Sequence, residues 1–373
     1  MRYSLGSWSS SSLSSSNGLL AGFVAGYDKA APMTALTLPE VVTAPLRFTP
    51  RYQVLVWGGR RMEQWRTDLP EGPVGESWDL ADQDRGMSVV AQGSLVGKTL
   101  RELTASLGKE LVGDGFRGGS FPLLVKLIDA SARLSVQVHP DDALAVALGV
   151  GENGKTECWL MVEDGGELFV GTRPGVDRAA FESALQTGAI EDTLNRFQSS
   201  KGDFFFLRAR TVHALGQGCL LYEVQQSSDV TFRVWDWGRM GLDGKPRPMH
   251  IAESLETIDF ARSGDAAIRP AFKAHPAGGQ SRTLIQCEFF TVEERLLASA
   301  GQQTQHDEPE QARRCSIVTC LSGRVTLSTS GGSIELSAMQ TVLIPAAARG
   351  FTARTLTPDT CLLHAQPVFG QKD

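Results

Sequence analysis

Gln137 and His139 stand two residues apart in the apolar stretch LSVQVHPDD, residues 134–142. Alternate residues of a strand share a face, so both side chains point the same way, where a core strand would carry Val, Ile or Leu. An unpaired buried polar group costs on the order of 1–3 kcal/mol, so a hydrogen bond, a metal or a substrate must offset it. Two further donors lie downstream: Glu157, eighteen residues past His139 at the start of an apolar run, and His213, just after DFFFL. Two imidazoles, a carboxylate and an amide oxygen suit zinc, which accepts mixed nitrogen and oxygen ligands and keeps an open position when it serves as a Lewis acid. Taken singly, each residue has a plainer reading. His139 reads as a hydrogen-bonded core histidine, Glu157 as a surface partner of Lys155, and His213 as a turn residue. Their placement on inward strand faces of one barrel favours the joint reading.

A second cluster follows in LLYEVQQSSDVTFRVWDWGR, residues 220–239, where Glu223, Asp229, Arg233 and Arg239 fall at intervals of six, four and six. Charges of both signs inside a barrel need partners, and these four could simply pair with one another. Beside a metal site, a guanidinium among them becomes an electrostatic stabiliser.

The elements that must hold these residues are mostly short strands. From Pro45 onward, segments such as YQVLVWGG, FPLLVKLID, ECWLMVED and DFFFLRA are separated by glycine turns. That rhythm predicts a mainly β fold of barrels or sandwiches. Two helical passages interrupt it. Over 176–197, Phe181, Leu185, Ile190 and Leu194 recur at roughly helical spacing, and Ile251, Leu255 and Ile258 repeat the pattern. The pattern divides the chain into a Ser- and Gly-rich extension (1–44), a catalytic barrel with helical insertions (45–262), a linker (263–280) and a second β-barrel (281–373). In that last block His306 and His364 have no carboxylate at ligand-like spacing, so the block is expected to carry no metal.

Composition narrows the function. The 373 residues include 36 basic and 42 acidic ones, a net charge of −6, which gives no footprint for nucleic acid or an anionic membrane. No apolar run approaches the roughly 20 residues that span a bilayer. An anionic substrate would need a local basic pocket. The six cysteines form no CxxC pair, which fits a reducing cytoplasm. The first 32 residues cannot build a core and read as a disordered extension, with Met33 a possible alternative start. A monomer is expected.

The ordered motifs VWGGRRM (56–62), VGESWDLAD (74–82), GKTLREL (97–103), FPLLVKLIDASARLSVQVHPDD (121–142), GKTECWLMV (154–162), KGDFFFLRARTVHALGQG (201–218) and LLYEVQQSSDVTFRVWDWGR (220–239) resemble the type I phosphomannose isomerase family. The likeness runs from residue 45 to about 368, more loosely in the second block. VWGGRRM and FRVWDWGR differ slightly from the family's commoner spellings, and the compact ALAVALGVGENGKTE loop marks its short bacterial subtype. The resemblance implies two cupin-like jelly-roll barrels and one zinc ion held by Gln137, His139, Glu157 and His213. It implies catalytic roles for Arg233, Lys155 and Glu223, leaving open which of the last two is the base, and phosphate contacts at Ser135, Lys126 and Arg239. The implied reaction interconverts mannose 6-phosphate and fructose 6-phosphate through a cis-enediol. A metal-dependent cupin oxygenase and a non-catalytic sugar-phosphate sensor are the alternatives, because cupin barrels host many chemistries.

Overall fold

The structure, a computed structural model, describes residues 41–262, 264 and 266–370; nearly all of the Ser- and Gly-rich extension lies outside these. The chain is mainly β, as its turn rhythm predicts, and its strands form four sheets. They stay open and pair face to face as two sandwiches rather than closing into barrels.

The first sandwich joins a six-stranded and a five-stranded sheet. The six-stranded sheet runs, in spatial order, Phe204–Leu207, Glu157–Met161, Leu220–Gln226, Leu123–Asp129, Val74–Leu80 and Arg51–Gly59. The five-stranded sheet runs Phe232–Trp235, Val136–Val138, His213–Leu215, Glu167–Thr172 and Leu194–Gln198. Between them lies a core that includes Trp57, Ile128, Trp159, Met161, Leu215 and Leu221.

Strand alternation decides what faces inward. In Leu123–Asp129, Leu123, Val125 and Leu127 turn away from this core, into a cluster shared with the second sandwich. Lys126 and Ile128 therefore point between the sheets and line the cavity described below. Leu220–Gln226 obeys the same rule: Leu220, Tyr222 and Val224 pack outward while Leu221 and Glu223 face in. On the opposite sheet, Val136, Val138, Val212, Ala214, Phe232 and Val234 pack outward against Phe181, Ile190 and Ile258 of the helical passages. Their neighbours Gln137, His213 and Arg233 are left for the interior.

The second sandwich sets an eight-stranded sheet against a four-stranded one, around Leu297, Val318, Leu327, Leu336, Val342 and Phe351. Strands Leu46–Thr49 and Val89–Val90, from the first block of the sequence, lie at one edge of the eight-stranded sheet, where Leu46 pairs antiparallel with Leu343. A buried network also spans the two sandwiches. Arg66 donates to both oxygens of Asp79 at 2.9–3.0 Å, and Asp79 Oδ2 also accepts from the Tyr222 hydroxyl (2.9 Å) and Thr341 Oγ1 (3.0 Å). The stretch expected to be a linker lies along the first sandwich: Ile268 exchanges two backbone hydrogen bonds with edge residue Phe204.

The helix expected over 176–197 is shorter. It spans Arg178–Thr187, capped by the Asp177 side chain and ended by Gly188 in the left-handed conformation (φ 76°). Ile190–Thr193 is a 3₁₀ turn, and Leu194 opens a strand. Its apolar side chain serves both patterns, so periodicity alone could not place the boundary.

Candidate metal centre

His139 follows strand Val136–Val138, Glu157 opens Glu157–Met161, and His213 opens His213–Leu215. The strands are staggered so that one donor atom from each residue lies within 4.8 Å of the other two, and all three side chains are buried. Glu157 Oε1 is 3.3 Å from His213 Nε2, and Oε2 is 3.6 Å from His139 Nε2. Donors about 2.0 Å from a tetrahedral ion sit roughly 3.3 Å apart, so the spacing fits a small divalent cation.

Each imidazole is oriented by its other nitrogen. Nδ1–H of His139 donates to the Val230 carbonyl at 2.8 Å, and that of His213 to the Thr211 carbonyl at 2.9 Å. Both bonds put the proton on Nδ1 and leave the Nε2 lone pair facing Glu157, so the backbone carbonyls fix the tautomer a metal needs. Backbone ties hold the loops. Arg210 N–H donates to the His139 carbonyl (2.7 Å) and Lys155 N–H to the Pro140 carbonyl (2.9 Å). At Gly154 a Cβ would lie 2.4 Å from the backbone of Asp141 and Asp142, so only glycine permits this approach.

The three donors are electrostatically incomplete. His139 Nε2 and both Glu157 oxygens are buried without a hydrogen bond, although Lys155 Nζ stands 3.0 Å from Oε2. Burial, partly offset by Lys155, pushes the Glu157 carboxyl up to about 7. Burial pulls His213 down to about 4 and His139 well below its ordinary value. A cation shared by these atoms would satisfy all of them, so the residues present fit a metal ion. Gln137 lies beside them, with its Nε2 3.4 Å from His213 Nε2 and its Oε1 3.4 Å from Ser135 Oγ. Turning the amide over would present oxygen in place of nitrogen.

Gln137 and Lys155, which touch the donors, line a cavity of about 290 Å³ together with Glu223, Arg233, Lys126 and Ser135, among others. Lys126 and Glu223 are Cα partners on adjacent strands, and Lys126 Nζ sits 3.1 Å from Glu223 and 3.6 Å from Glu76. Burial alone would raise the Glu223 carboxyl, but Lys126, Lys155 and a 2.9 Å hydrogen bond from Trp159 outweigh it and hold the group below its usual range. Arg233 donates through Nε to Ser135 Oγ (3.2 Å) and through Nη1 to the Pro248 carbonyl (2.8 Å).

Arg239 is not among the cavity-lining residues. Its guanidinium is taken up by Asp236 (2.6 Å) and the Arg133 carbonyl. Arg247 shares Asp236, at 2.5 and 2.7 Å, and does line the cavity. Sequence reasoning gave no role to Arg247, Glu76 or Arg85. Only Glu76 left a signal, as an acid placed inside the strand VGESWDL.

The second block's histidines also meet polar partners. His306 Nε2 is 2.6 Å from Glu308 and its Nδ1 is 3.1 Å from Arg295, while the His364 ring packs edge-on at 4.4 Å. A carboxylate two residues away and two strands of the facing sheet assemble this group, a spacing that no ligand motif describes.

Residues 46–157 match the family described as phosphomannose isomerase type I, catalytic domain. Over 270 residues, 71% of this chain and 83% of the relative, the chain is 34% identical to mannose-6-phosphate isomerase ManA of Bacillus subtilis. It is 35% identical to the mannose-6-phosphate isomerase of Streptococcus mutans over 251 residues, 66% of this chain and 77% of the relative. The solved mannose 6-phosphate isomerase from Bacillus subtilis has a TM-score of 0.77 at 29% identity, covering 86% of this chain and 99% of that one. A variant of phosphomannose isomerase from Salmonella typhimurium shares the fold, with a TM-score of 0.68 at 17% identity over 87% of this chain and 99% of that one. The length and level of the match to the Bacillus and Streptococcus enzymes place this chain in the type I phosphomannose isomerase family.

Proposed function

We propose that this chain is an aldose–ketose isomerase that interconverts mannose 6-phosphate and fructose 6-phosphate. The carrying observation is the trio of buried donors, with His139 Nε2 and both Glu157 oxygens lacking a hydrogen bond, beside a cavity lined by five cations, Arg85, Lys126, Lys155, Arg233 and Arg247, along with three carboxylates. The relatives' names support this substrate, and the cavity's cations suit a sugar phosphate.

We assign the ion as zinc, held by His139, Glu157 and His213 with the amide oxygen of Gln137 as fourth ligand, because mixed imidazole, carboxylate and amide donors match its preferences. When bound, it would polarise the sugar's carbonyl and hydroxyl oxygens and hold the open chain in place.

The proton moves between C2 and C1, and Glu223 is the group suited to carry it. Its carboxyl is held below the usual range, with Oε2 bonded to Trp159 and Oε1 3.1 Å from Lys126 Nζ. Lys155 is committed elsewhere, its Nζ standing 3.0 Å from the Glu157 carboxylate. Lys155 is thus better suited to keeping a proton near the substrate oxygens. Arg233 remains a cation and stabilises the charge that develops on the enediol oxygen. Ser135 and Lys126 contribute a hydroxyl and a fixed positive charge toward the phosphate, and Arg239 steadies Asp236 and through it Arg247.

The six cysteines are free, and no helix among the described residues is long and apolar enough to cross a membrane; with these features a reducing cytoplasm is the compartment we assign. The deciding test is to strip the metal, restore zinc and follow fructose 6-phosphate formation from mannose 6-phosphate. Recovery of turnover with zinc is expected. Oxygen consumption in place of isomerisation would overturn the assignment in favour of a cupin oxygenase.

A further inference from the structure

A single ion pair links two of the loops that line the cavity. Arg85, in the turn after Val74–Leu80, places Nη2 2.6 Å from Oδ2 of Asp229, in the loop after Leu220–Gln226, and both residues line the cavity. The same loops are tied by a 3.3 Å hydrogen bond from Gln83 Nε2 to Ser227 Oγ. The pair is lopsided: the Arg85 side chain is 67% exposed and that of Asp229 25%.

The other cations lining the cavity are committed to their places. Lys126 is clamped between Glu223 and Glu76, Lys155 stands against Glu157, Arg247 is bound through two nitrogens to Asp236, and Arg233 is fixed by Ser135 and the Pro248 carbonyl. Arg85 alone combines high exposure, one acidic partner and an aromatic surface to pivot on, its guanidinium lying 5.8 Å from the Trp78 ring centroid. Asp229 is held from behind, where its backbone N–H donates to Glu152 Oε2 at 2.6 Å. A fixed carboxylate in a cavity that must admit a dianion is unfavourable unless a cation screens it.

We propose that Arg85 is exchanged between two anions, Asp229 in the free enzyme and the substrate's phosphate in the complex, so that this pair sets the preference for phosphorylated over unphosphorylated sugar. The proposal rests on the isomerase reading above. Asp229 acts as a competitor: it parks the guanidinium and gives it up only to a group of higher charge. A planar guanidinium recognises phosphate through paired hydrogen bonds, which a rigidly held lysine does not.

The test compares kcat/KM for mannose 6-phosphate with that for mannose in the zinc-loaded enzyme. Arg85→Ala should lower the ratio of the two about tenfold, mainly through KM for the phosphorylated sugar. Asp229→Asn should raise it severalfold, and Arg85→Ala should still lower it in the Asp229→Asn background, where no carboxylate is left to screen. An unchanged ratio in Arg85→Ala, alone or in the Asp229→Asn background, overturns the exchange. If the wild-type enzyme isomerises neither sugar, the functional reading fails instead, and calorimetry with inorganic phosphate decides the point about Arg85: binding about tenfold weaker in Arg85→Ala supports it, and equal binding sinks it.

Discussion

Gln137 and His213 are Cα partners across two antiparallel strands, and their side-chain nitrogens meet at 3.4 Å. Residues far apart in the chain are thereby made immediate neighbours, and His139 and Glu157 complete the group from the next turn and the facing sheet. The ligand set stands or falls together. His139→Ala and Glu157→Ala should each lose bound metal on dialysis, measured by atomic absorption. Stoichiometric metal in both variants would refute the centre.

The Arg233 side chain bonds to Ser135 and Pro248 and to no metal donor, so its loss separates charge stabilisation from metal binding. Arg233→Ala is expected to retain its metal and to lose roughly 100- to 1000-fold in kcat, the usual effect of removing one preorganised donor to a developing oxyanion. A variant with full turnover would remove Arg233 from the chemistry.

The Lys126–Glu223 contact makes a prediction about pH. Glu223 must be ionised to accept a proton, so activity falls as pH drops through its pKa, which Lys126 and Lys155 hold below the ordinary carboxylate value. Lys126→Met removes one of those cations and lets burial raise the carboxyl. The acid limb of the kcat profile should therefore move to higher pH in the variant. A limb that stays in place would mean that Glu223 is not the proton acceptor.

The Asp79 network offers a stability test remote from the chemistry. Asp79→Ala leaves the buried Arg66 guanidinium without its carboxylate, a change that costs about 3–5 kcal/mol. Tyr222→Phe deletes one hydroxyl from the same carboxylate and should cost about 1–2 kcal/mol. Urea unfolding of the metal-loaded protein measures both. Equal effects would mean that the ion pair contributes nothing beyond a neutral hydrogen bond.

The site was legible in the sequence where strand alternation governs it. Gln137, His139, Glu157, Glu223 and Arg233 are polar interruptions of apolar strands, and a period of two is enough to aim them at one interior. Cross-strand register is not written in any local stretch, so the Glu223–Lys126 pairing came only from the structure. Arg247 and Arg85 reach the cavity from loops, where no periodicity fixes direction, and Arg239 turned to Asp236 for want of any pattern to show it. The contact between His306 and Glu308 was missed for a related reason. Side chains two apart in a strand are neighbours on a face, but their joint meaning depends on Arg295 and His364, which arrive from other strands.

Strand Leu46–Thr49 has to wait for its partner. Leu46 pairs with Leu343, about 300 residues later in the chain, and at synthesis rates of roughly 5–20 residues per second that is about 15–60 s. During this interval the strand can join Val89–Val90, which pairs with Phe48, but its other edge, where Leu46 will be buried, has no neighbour. A nascent chain would thus expose one sticky edge of this strand until Gln340–Ile344 has emerged.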